Sequence, residues 1–552
     1  MVNFIISFLH YKPIQLFTRI KLLVLGRKKI NFLSNIHFNK LNSKSVINTV
    51  IQSKDNNYSL NSLNALENDS IIYLNNFNAS SINFFENDIF DQNDSLKKYE
   101  LCYLNCFSDI VFSDDKVLKD KILKNLNNIY SDSHSQKFNH SFWYPYSVSS
   151  RMINISIVIL SLESSNQVSD DISILYSNLF NDYTYLKRNI EFDSDGNHLL
   201  KNYISLCIGS IFFQSDKTLT YYNKLNQLLS NQILKSGFHY EKSFDYHNSL
   251  LYDLSILNDL LGDNFFDNSE LSDYLIKMLS FSNRLNRNEK ILFNDSFRNY
   301  HFNDNNMISY LSSKYTLNDE TSIYPFKSLR TSNFEILAYL SDINPIHCPA
   351  HLHDAIGTYE LWFNSQKFIT DSGNYDYNNS QNRLYFRSSN AHNVSTISNN
   401  GQSSLYKPFR FGRIAKLNEL IDQDNSIEIC FSEIDGIFYS NRIKRKIQSC
   451  TGLIEIEDTT NKNNSFSYIH IHPDVNIERI SSQKYILSKN KNVIVLQIEN
   501  STLIDSYIDS TPFSEEFYRI ENKKTINIKF NNQLRYTYIS QSNNDETATT
   551  QF

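Results

Sequence analysis

Apolar side chains recur at helical spacing over much of the first half of the chain. Between about residues 96 and 320 they stand three or four positions apart, so each segment would carry one apolar face. The segments with this pattern are 115–130, 150–162, 198–213, 219–234, 247–261, 271–286 and, more weakly, 307–311. The links between them are short and polar, so consecutive helices should pack as antiparallel hairpins. A series of such hairpins predicts a solenoid or an α/α toroid.

Near residue 330 the spacing of the apolar residues changes to two, which is typical of half-buried strands. The segments with this pattern are 334–340, 358–363, 367–370, 394–397, 426–431, 436–447, 453–458, 466–472, 485–488, 493–498, 525–530 and 534–540. Many antiparallel strands at regular spacing favour a β-sandwich. The predicted fold class is multidomain α+β. An N-terminal α/α toroid, built as an incomplete barrel of helical hairpins, is followed by an antiparallel β-sandwich.

This change of pattern divides the chain into four parts. We predict an irregular N-terminal region packed on the toroid at 1–90, the helical toroid at 91–328, the β-sandwich at 329–541 and a polar tail at 542–552. A chain of 552 residues has room for roughly two to four domains of ordinary size.

Charge and composition narrow the class of function. The net charge of −6 lacks the general basic character of nucleic-acid-binding proteins, so an acidic ligand would need a local basic groove. The six cysteines show no disulfide framework. No stretch approaches the ~20 apolar residues of a membrane span, and the N-terminus has no clear signal peptide.

Residues that can carry chemistry concentrate between His351 and Asn393. A His-x-His pair, His351 and His353, opens this stretch, and in an extended strand both imidazoles would project to one face. Asp371 and His392 follow beside strand-like runs and could converge on that face. The two imidazoles could share a metal, or divide their roles between a metal and a substrate. A polar sheet face with solvated histidines is the alternative.

Three further motifs stand where helical segments begin. They are Tyr-Pro-Tyr at 144–146 followed by Arg151, Asp-Gly-Asn-His-Leu-Leu at 195–200, and Gly-Phe-His-Tyr-Glu-Lys-Ser at 237–243 followed by Asp-Tyr-His at 245–247. Each motif alone is typical of a helix cap. In a toroid, however, these helix ends would line one rim, so together they predict a substrate groove.

The order of these motifs resembles the heparinase II/III family. The resemblance rests on Gly-Asn-His-Leu-Leu, Gly-x-His-x-Glu-x-Ser-x-x-Tyr-His, His-x-His, Tyr-Glu-Leu at 359–361, Asp-Ser-Gly-Asn-Tyr at 371–375 and Phe-Arg-Ser-Ser-Asn-Ala-His-Asn at 386–393. It runs from about residue 140 to His-Ile-His-Pro-Asp-Val at 470–475, and residues 11–20 also resemble members of the family. Several motifs in one order are far more specific than any single motif.

The resemblance implies a polysaccharide lyase that acts by β-elimination at a uronic acid of an acidic glycan. Such a reaction neutralises the uronate carboxylate, removes the C5 proton with a base and protonates the leaving glycosidic oxygen with an acid. By this similarity Asn197 or His198 contacts the carboxylate. By the same similarity Tyr246 is the base or acid, and His351 is the complementary base for the opposite orientation of the C5 proton. The active site should lie in the cleft between the two domains.

The resemblance also implies a divalent metal, zinc in some members, held by His353, Asp371 and His392. We expect a structural role for this metal, because β-elimination needs no activated water. A metal-free packing of the same three residues is the alternative.

Basic and hydrogen-bonding side chains near the groove should bind the acidic substrate. The expected substrate-binding residues are Arg151, Lys201, His239, Arg383 and Arg387. Lys201 stands where family members often have Glu, and Ala355 stands where they commonly have an acidic residue. These departures affect the identity of the substrate more than the class of reaction.

Two other functions are alternatives to the lyase. A non-catalytic glycan-binding protein, or one that assembles cell-surface polysaccharide, could share the fold. Glycoside hydrolysis would require paired carboxylates at a groove, and the sequence offers no convincing pair. We therefore expect a bacterial protein of the cytoplasm, periplasm or cell envelope whose partner is an acidic polysaccharide or oligosaccharide. A homodimer is compatible with the sequence.

Overall fold

The computed structural model describes residues 2–541 except 35, 37, 39, 75–76, 138–139, 166–169, 265–266, 300, 319–321, 398–400, 436–437 and 500–501. The predicted tail at 542–552 and the first two residues of the predicted strand 436–447 lie outside the described residues.

Helices make up the first part of the chain. They are α1 Val2–Leu9, α2 Pro13–Leu25, α3 Lys44–Ser53, α4 Asn56–Glu67, α5 Ser95–Cys102, α6 Lys116–Ser133, α7 Pro145–Ser164, α8 Asp170–Arg188, α9 Gly196–Phe212, α10 Thr218–Gln232, α11 Phe244–Asp263, α12 Ser269–Arg284 and α13 Asp304–Lys314. Local sequence sets their starts: Asp115 caps α6 by accepting from two backbone N–H groups, and Pro145 occupies the first turn of α7. Neighbours in sequence pack together, as α7 does with α8 and α9 with α10. None of the described helices is both long and apolar enough to cross a membrane.

The N-terminal region is more regular than predicted. It contains α1 to α4 and a small hairpin of β1 Ser70–Tyr73 and β2 Phe77–Ser80. Its helices bury polar side chains, among them Thr49 and Ser53 on α3 and Ser59 and Ser62 on α4. Because these buried positions are hydroxyls, the apolar periodicity is weak even though α3 packs against α11 and α13.

The sequence pattern also missed α8. Leu175, Leu179 and Leu186 are buried at helical spacing, but Asn181 and Asp182 are buried on the same helix. These buried polar side chains interrupt the apolar face that the pattern depends on.

Antiparallel strands make up the second part of the chain. They are β3 Phe326–Arg330, β4 Phe334–Tyr339, β5 Tyr359–Phe363, β6 Gln366–Ile369, β7 Ser395–Thr396, β8 Leu405–Lys407, β9 Arg410–Phe411, β10 Lys416–Asp422, β11 Ser426–Asp435, β12 Phe438–Cys450, β13 Leu453–Thr460, β14 Ser465–His470, β15 Asn476–Arg479, β16 Lys484–Lys489, β17 Asn492–Ile498, β18 Leu503–Glu516, β19 Arg519–Phe530 and β20 Gln533–Ser540. A short helix, α14 Gln381–Arg387, interrupts the series.

Three sheets hold most of these strands. Their strand orders are β10-β11-β12-β13-β20-β17-β16-β15, β18-β19-β14-β7 and β3-β4-β5-β6. Side chains from all three sheets share one core, which includes Ile336, Ile456, Leu496 and Ile526. The predicted plan of a helical domain followed by antiparallel sheets is confirmed. The long strand β18 was missed because much of it is exposed and it carries Pro512.

An aromatic cluster joins the two domains. Phe238, Phe244 and Phe281 from the helical domain pack with Phe326 and Trp362 of the first strands. The Phe238 and Phe281 rings stack with their centroids 4.4 Å apart. This apolar contact holds the two domains together beside the cavity between them.

Candidate active site

A cavity of about 660 Å³ lies between the helical domain and the β-domain. Tyrosines line much of it, namely Tyr11, Tyr99, Tyr103, Tyr144, Tyr146, Tyr246, Tyr252 and Tyr377. The four predicted catalytic residues, Asn197, His198, Tyr246 and His351, all line this cavity. Of the five predicted substrate-binding residues, Lys201 alone is on its wall.

Tyr246 and His351 meet face to face at the cavity wall. Tyr246 lies in the first turn of α11, where its backbone N–H donates to the Ser243 side chain at 3.3 Å. Its ring stacks on the imidazole of His351, with the ring centroids 3.8 Å apart. Burial, together with Tyr146 and Asp295, raises the pKa of the Tyr246 phenol well above its ordinary value. The phenol therefore keeps its proton at neutral pH, and its oxygen lies 2.8 Å from that of Tyr377.

The His-x-His pair lies in a loop and not in an extended strand, so strand geometry does not bring its two imidazoles together. The two imidazoles converge because each bonds a different oxygen of Asp295. The His351 Nδ1 to Oδ2 and His353 Nε2 to Oδ1 distances are both 2.8 Å. The Arg383 guanidinium donates to the same carboxylate. Burial opposes ionisation of Asp295, but Arg383 and the two imidazoles outweigh it and hold its pKa well below the ordinary value.

Glu241 connects the predicted carboxylate-binding residues to His351. Its side chain accepts from the backbone N–H of Asn197 at 2.6 Å and from Asn197 Nδ2 at 3.0 Å, and lies 3.4 Å from His351 Nε2. Gly196 makes this approach feasible, because its φ is +60° and an added Cβ would stand 2.0 Å from Glu241 Oε1. Asn197 Oδ1 is buried without a hydrogen-bond partner among the described residues.

His198 and Lys201 supply positive charge on the helical side. His198 Nδ1 lies 3.2 Å from Glu191 Oε1, and the His198 side chain is 29% exposed. Burial acts against the protonated imidazole, but the Glu191 carboxylate outweighs it and raises the pKa of His198. Lys201 Nζ lies 2.7 Å from Asp253 and over the ring of Tyr146. Asp253 overcomes the cost of burial and raises the pKa of Lys201.

The other predicted substrate-binding residues lie outside the cavity lining. Arg151 on α7 is fully buried and bonds both oxygens of Asp182 on α8, at 2.8 and 2.6 Å. His239 is also buried, bonds Gln232 at 3.0 Å, and has its pKa lowered to about 3 by burial.

Arg383 and Arg387 on α14 point into the protein interior, where both are fully buried. Arg383 holds Asp295, and Arg387 donates to the backbone carbonyls of Pro349 and Leu352. Burial lowers the pKa of Arg387 to about 9. These placements give both arginines a role in shaping the His-x-His loop.

The predicted metal ligands lie behind this loop and are fully or almost fully buried. His392 Nδ1 lies 2.7 Å from Asp371 Oδ2, and the His353 and His392 rings are 5.2 Å apart. Among the described residues, His353 Nδ1 and His392 Nε2 have no hydrogen-bond partner, which suits a metal. Burial lowers the pKa of His353 to about 3, so its ring is neutral. Across all the residues that the structure describes, however, no three His, Cys, Asp or Glu side chains are grouped so that they could hold a metal ion.

Three residues of the site were not predicted as functional. Glu241 lies within a motif that carries the family resemblance, so its motif could have identified it. Asp295 follows α12 as an ordinary loop aspartate, and Tyr377 stands in a polar run. Their importance comes from contacts between distant parts of the chain, which a single sequence does not reveal.

Two protein-family models match the chain. Residues 93–329 match the family model described as heparinase II/III N-terminus, and residues 326–549 match the one described as heparinase II/III-like, C-terminal. No curated protein matches the chain.

Solved structures share the fold at low sequence identity. One titled heparinase III has a TM-score of 0.67 at 15% identity over 92% of this chain and 87% of its own. The structure titled heparinase III BT4657 gene product has a TM-score of 0.59 at 15% identity. The match covers 92% of this chain and 86% of its own. A mutant of the heparan sulfate lyase HepC from Pedobacter heparinus has a TM-score of 0.57 at 12% identity. The match covers 88% of this chain and 83% of its own. With both family models matched across most of its length, the chain belongs to the heparinase II/III family.

Proposed function

We propose that this protein cleaves a uronic-acid-containing acidic glycan by β-elimination. The observation that carries the proposal is the meeting of Asn197, His198, Tyr246 and His351 in one tyrosine-rich cavity between the domains. Membership of the family supports the reaction class, and the similarity to structures titled heparinase III and heparan sulfate lyase supports an acidic substrate.

Neutralisation of the uronate carboxylate is the first requirement of the reaction. His198 is protonated over a wider pH range than an ordinary histidine because Glu191 stabilises its charge. Asn197 presents an amide held in place by Glu241. Binding of the carboxylate by these two groups would withdraw charge from it and acidify the C5 proton.

His351 is suited to the role of base. Asp295 is ionised and can accept the Nδ1 proton of His351, and a neutral imidazole bound in this way would carry its lone pair on Nε2. Tyr246, whose phenol keeps its proton at neutral pH, is suited to the role of acid. The C5–H electrons form the C4–C5 double bond, the C4–O bond breaks, and the leaving oxygen takes the Tyr246 proton.

Return of the proton completes the cycle. After one turnover His351 holds the C5 proton and Tyr246 is a phenolate. The two rings stack without a hydrogen bond between them, so the proton would return through a bridging water molecule.

The reaction is tested by incubating the purified protein with a panel of uronic-acid glycans and following the ultraviolet absorbance of the unsaturated uronate product. Product from at least one glycan is expected. Glycan binding without product from any of them would reject the lyase and favour the non-catalytic glycan-binding alternative.

A divalent metal, with zinc as the first candidate, remains a prediction for His353, Asp371 and His392. It would hold these side chains behind the His351 loop, and no step of the elimination requires it. We expect the purified wild-type protein to contain metal, and His353→Ala to lose it and to unfold at a lower temperature. Equal metal content in the two proteins would remove the prediction.

A further inference from the structure

The first two helices have an inverted arrangement of polar and apolar residues. Each helix buries one residue in the protein, and that residue is polar: Ser7 on α1 and Gln15 on α2. Phe17 and Leu23 on α2 are 66% and 86% exposed, and Leu9 at the end of α1 is 73% exposed. We call these exposed side chains the N-terminal apolar face. Its members are Val2, Phe4, Ile5, Phe8, Leu9, Ile14, Phe17, Ile20, Leu23, Val24 and Leu25.

Polar contacts hold α2 in this orientation. The Lys12 ammonium pairs with Asp195 at 2.8 Å, and the Gln15 amide donates to the backbone carbonyl of Ser194 at 3.2 Å. One turn later, the Arg19 guanidinium donates to the carbonyl of Asp193 at 2.9 Å. Turning the apolar face inward would break these contacts, so the face is not a displaced part of the core.

Charge indicates what covers this face. The first 54 residues contain nine Lys and Arg and no Asp or Glu, although the whole chain has a net charge of −6. Lys21, Lys28 and Lys29 are exposed on or just after α2. Contiguous exposed apolar surface marks an interaction site, and an apolar face with basic residues beside it is the pattern of helices that lie in the surface of an anionic bilayer.

We propose that α1 and α2 form an interfacial element that binds the surface of a membrane containing anionic lipid. The helices have 8 and 13 residues, too short to span a bilayer, so they lie in its plane with the apolar face among the acyl chains. A second copy of the chain fits less well, because a twofold interface would bring the same lysines together. This binding does not depend on the proposed reaction.

The test is co-sedimentation of the full chain with vesicles of phosphatidylcholine alone or mixed with phosphatidylglycerol. We expect strong binding to the mixed vesicles, weaker binding to phosphatidylcholine, and weaker binding at high salt. Phe17→Ser/Leu23→Ser/Val24→Ser should weaken binding to mixed vesicles by about tenfold or more. Lys21→Glu/Lys28→Glu/Lys29→Glu should remove the preference for phosphatidylglycerol.

Val117→Ser/Leu219→Ser is the matched control, because both side chains are as exposed as those of the apolar face but lie on α6 and α10. It should bind vesicles like the wild type, and circular dichroism should show all variants folded. Absence of wild-type binding to the mixed vesicles would overturn the proposal, as would unchanged binding of the apolar triple variant. A dimer that this variant dissociates, without vesicle binding, would assign the face to a second copy.

Discussion

Asp295 shows how a single residue can organise a site. Its two oxygens form hydrogen bonds with His351, His353 and Arg383, and all four residues are buried. An ionised carboxylate in this position fixes the orientation of two rings and the tautomer of His351. The arrangement therefore sets which imidazole nitrogen faces the cavity.

Tyr246→Phe tests the assigned acid without disturbing the stacking on His351. Loss of a general acid should lower kcat by about 10² or more, while the midpoint of chemical denaturation stays close to that of the wild type. The measurement is the initial rate on whichever glycan gives the unsaturated product. Tyr507→Phe, at a half-exposed position on β18, should keep full activity. Full activity of Tyr246→Phe would show that the site assignment is wrong.

His198 and His239 should make pH-dependent contributions to stability of opposite sign. The raised pKa of His198 means that the folded state holds its proton more tightly than the unfolded state. Its contribution is then fully present below the unfolded pKa of about 6.5 and is lost as the pH rises through the folded pKa. For His239, whose folded pKa is about 3, stability is instead lost as the pH falls below about 6.5.

The measurement is the free energy of unfolding in urea across this pH range for the wild type, His198→Gln and His239→Gln. The stability difference between the wild type and each variant should change with pH in these opposite directions. A pH-independent difference for either variant would contradict the corresponding assignment.

At the scale of secondary-structure elements, a buried ion pair joins two helices of the toroid. Arg151 on α7 and Asp182 on α8 are both fully buried, and Tyr130 on α6 adds a hydrogen bond to Asp182 at 2.6 Å. Three consecutive helices therefore meet at one carboxylate. Removing one partner of such a pair leaves an uncompensated charge in the interior.

Arg151→Ala should lower the free energy of unfolding by about 3–5 kcal/mol, because Asp182 would lose its counter-ion. Arg519→Ala removes a mostly exposed arginine from a surface ion pair. It should change the free energy of unfolding by less than about 1 kcal/mol. Urea denaturation of the two variants gives the comparison. A cost for Arg151→Ala as small as that for Arg519→Ala would contradict the structural role of Arg151.

The limits of prediction from the sequence also follow from individual elements. Helices such as α9 and α11 were predicted within a few residues, because their apolar positions repeat at helical spacing. α3 and α8 were missed because they bury Thr49, Ser53, Asn181 and Asp182, which read as surface positions. The four proposed catalytic residues on the cavity wall were predicted through motifs that carry a family resemblance. Asp295, the partner of His351, was not predicted, because no local pattern connects it to the His-x-His loop more than 50 positions away.

At the scale of the whole molecule, the two domains share an aromatic cluster and a cavity. The chain has two tryptophans, Trp143 in the helical domain and Trp362 in the cluster that joins the domains. Because this cluster packs side chains of both domains against each other, we expect the domains to unfold together.

Single-tryptophan variants can test this cooperativity. In Trp143→Phe, the fluorescence of Trp362 should change at the same urea concentration as the far-ultraviolet circular dichroism of that variant. The same agreement should hold for Trp143 in Trp362→Phe. A fluorescence transition that precedes the circular dichroism in either variant would show that the domains unfold separately.

The distribution of the cavity residues along the chain has a consequence for how the protein can be divided. Asn197, His198 and Tyr246 precede the end of α13, whereas His351 and Tyr377 follow the start of β3. Two polypeptides cut between these elements would each lack part of the reactive set, however well each folded. Reassembly through the cluster around Phe238 and Phe326 would bring the set together again. If the proposed reaction is correct, neither fragment alone should catalyse it, and joining the two fragments should restore it.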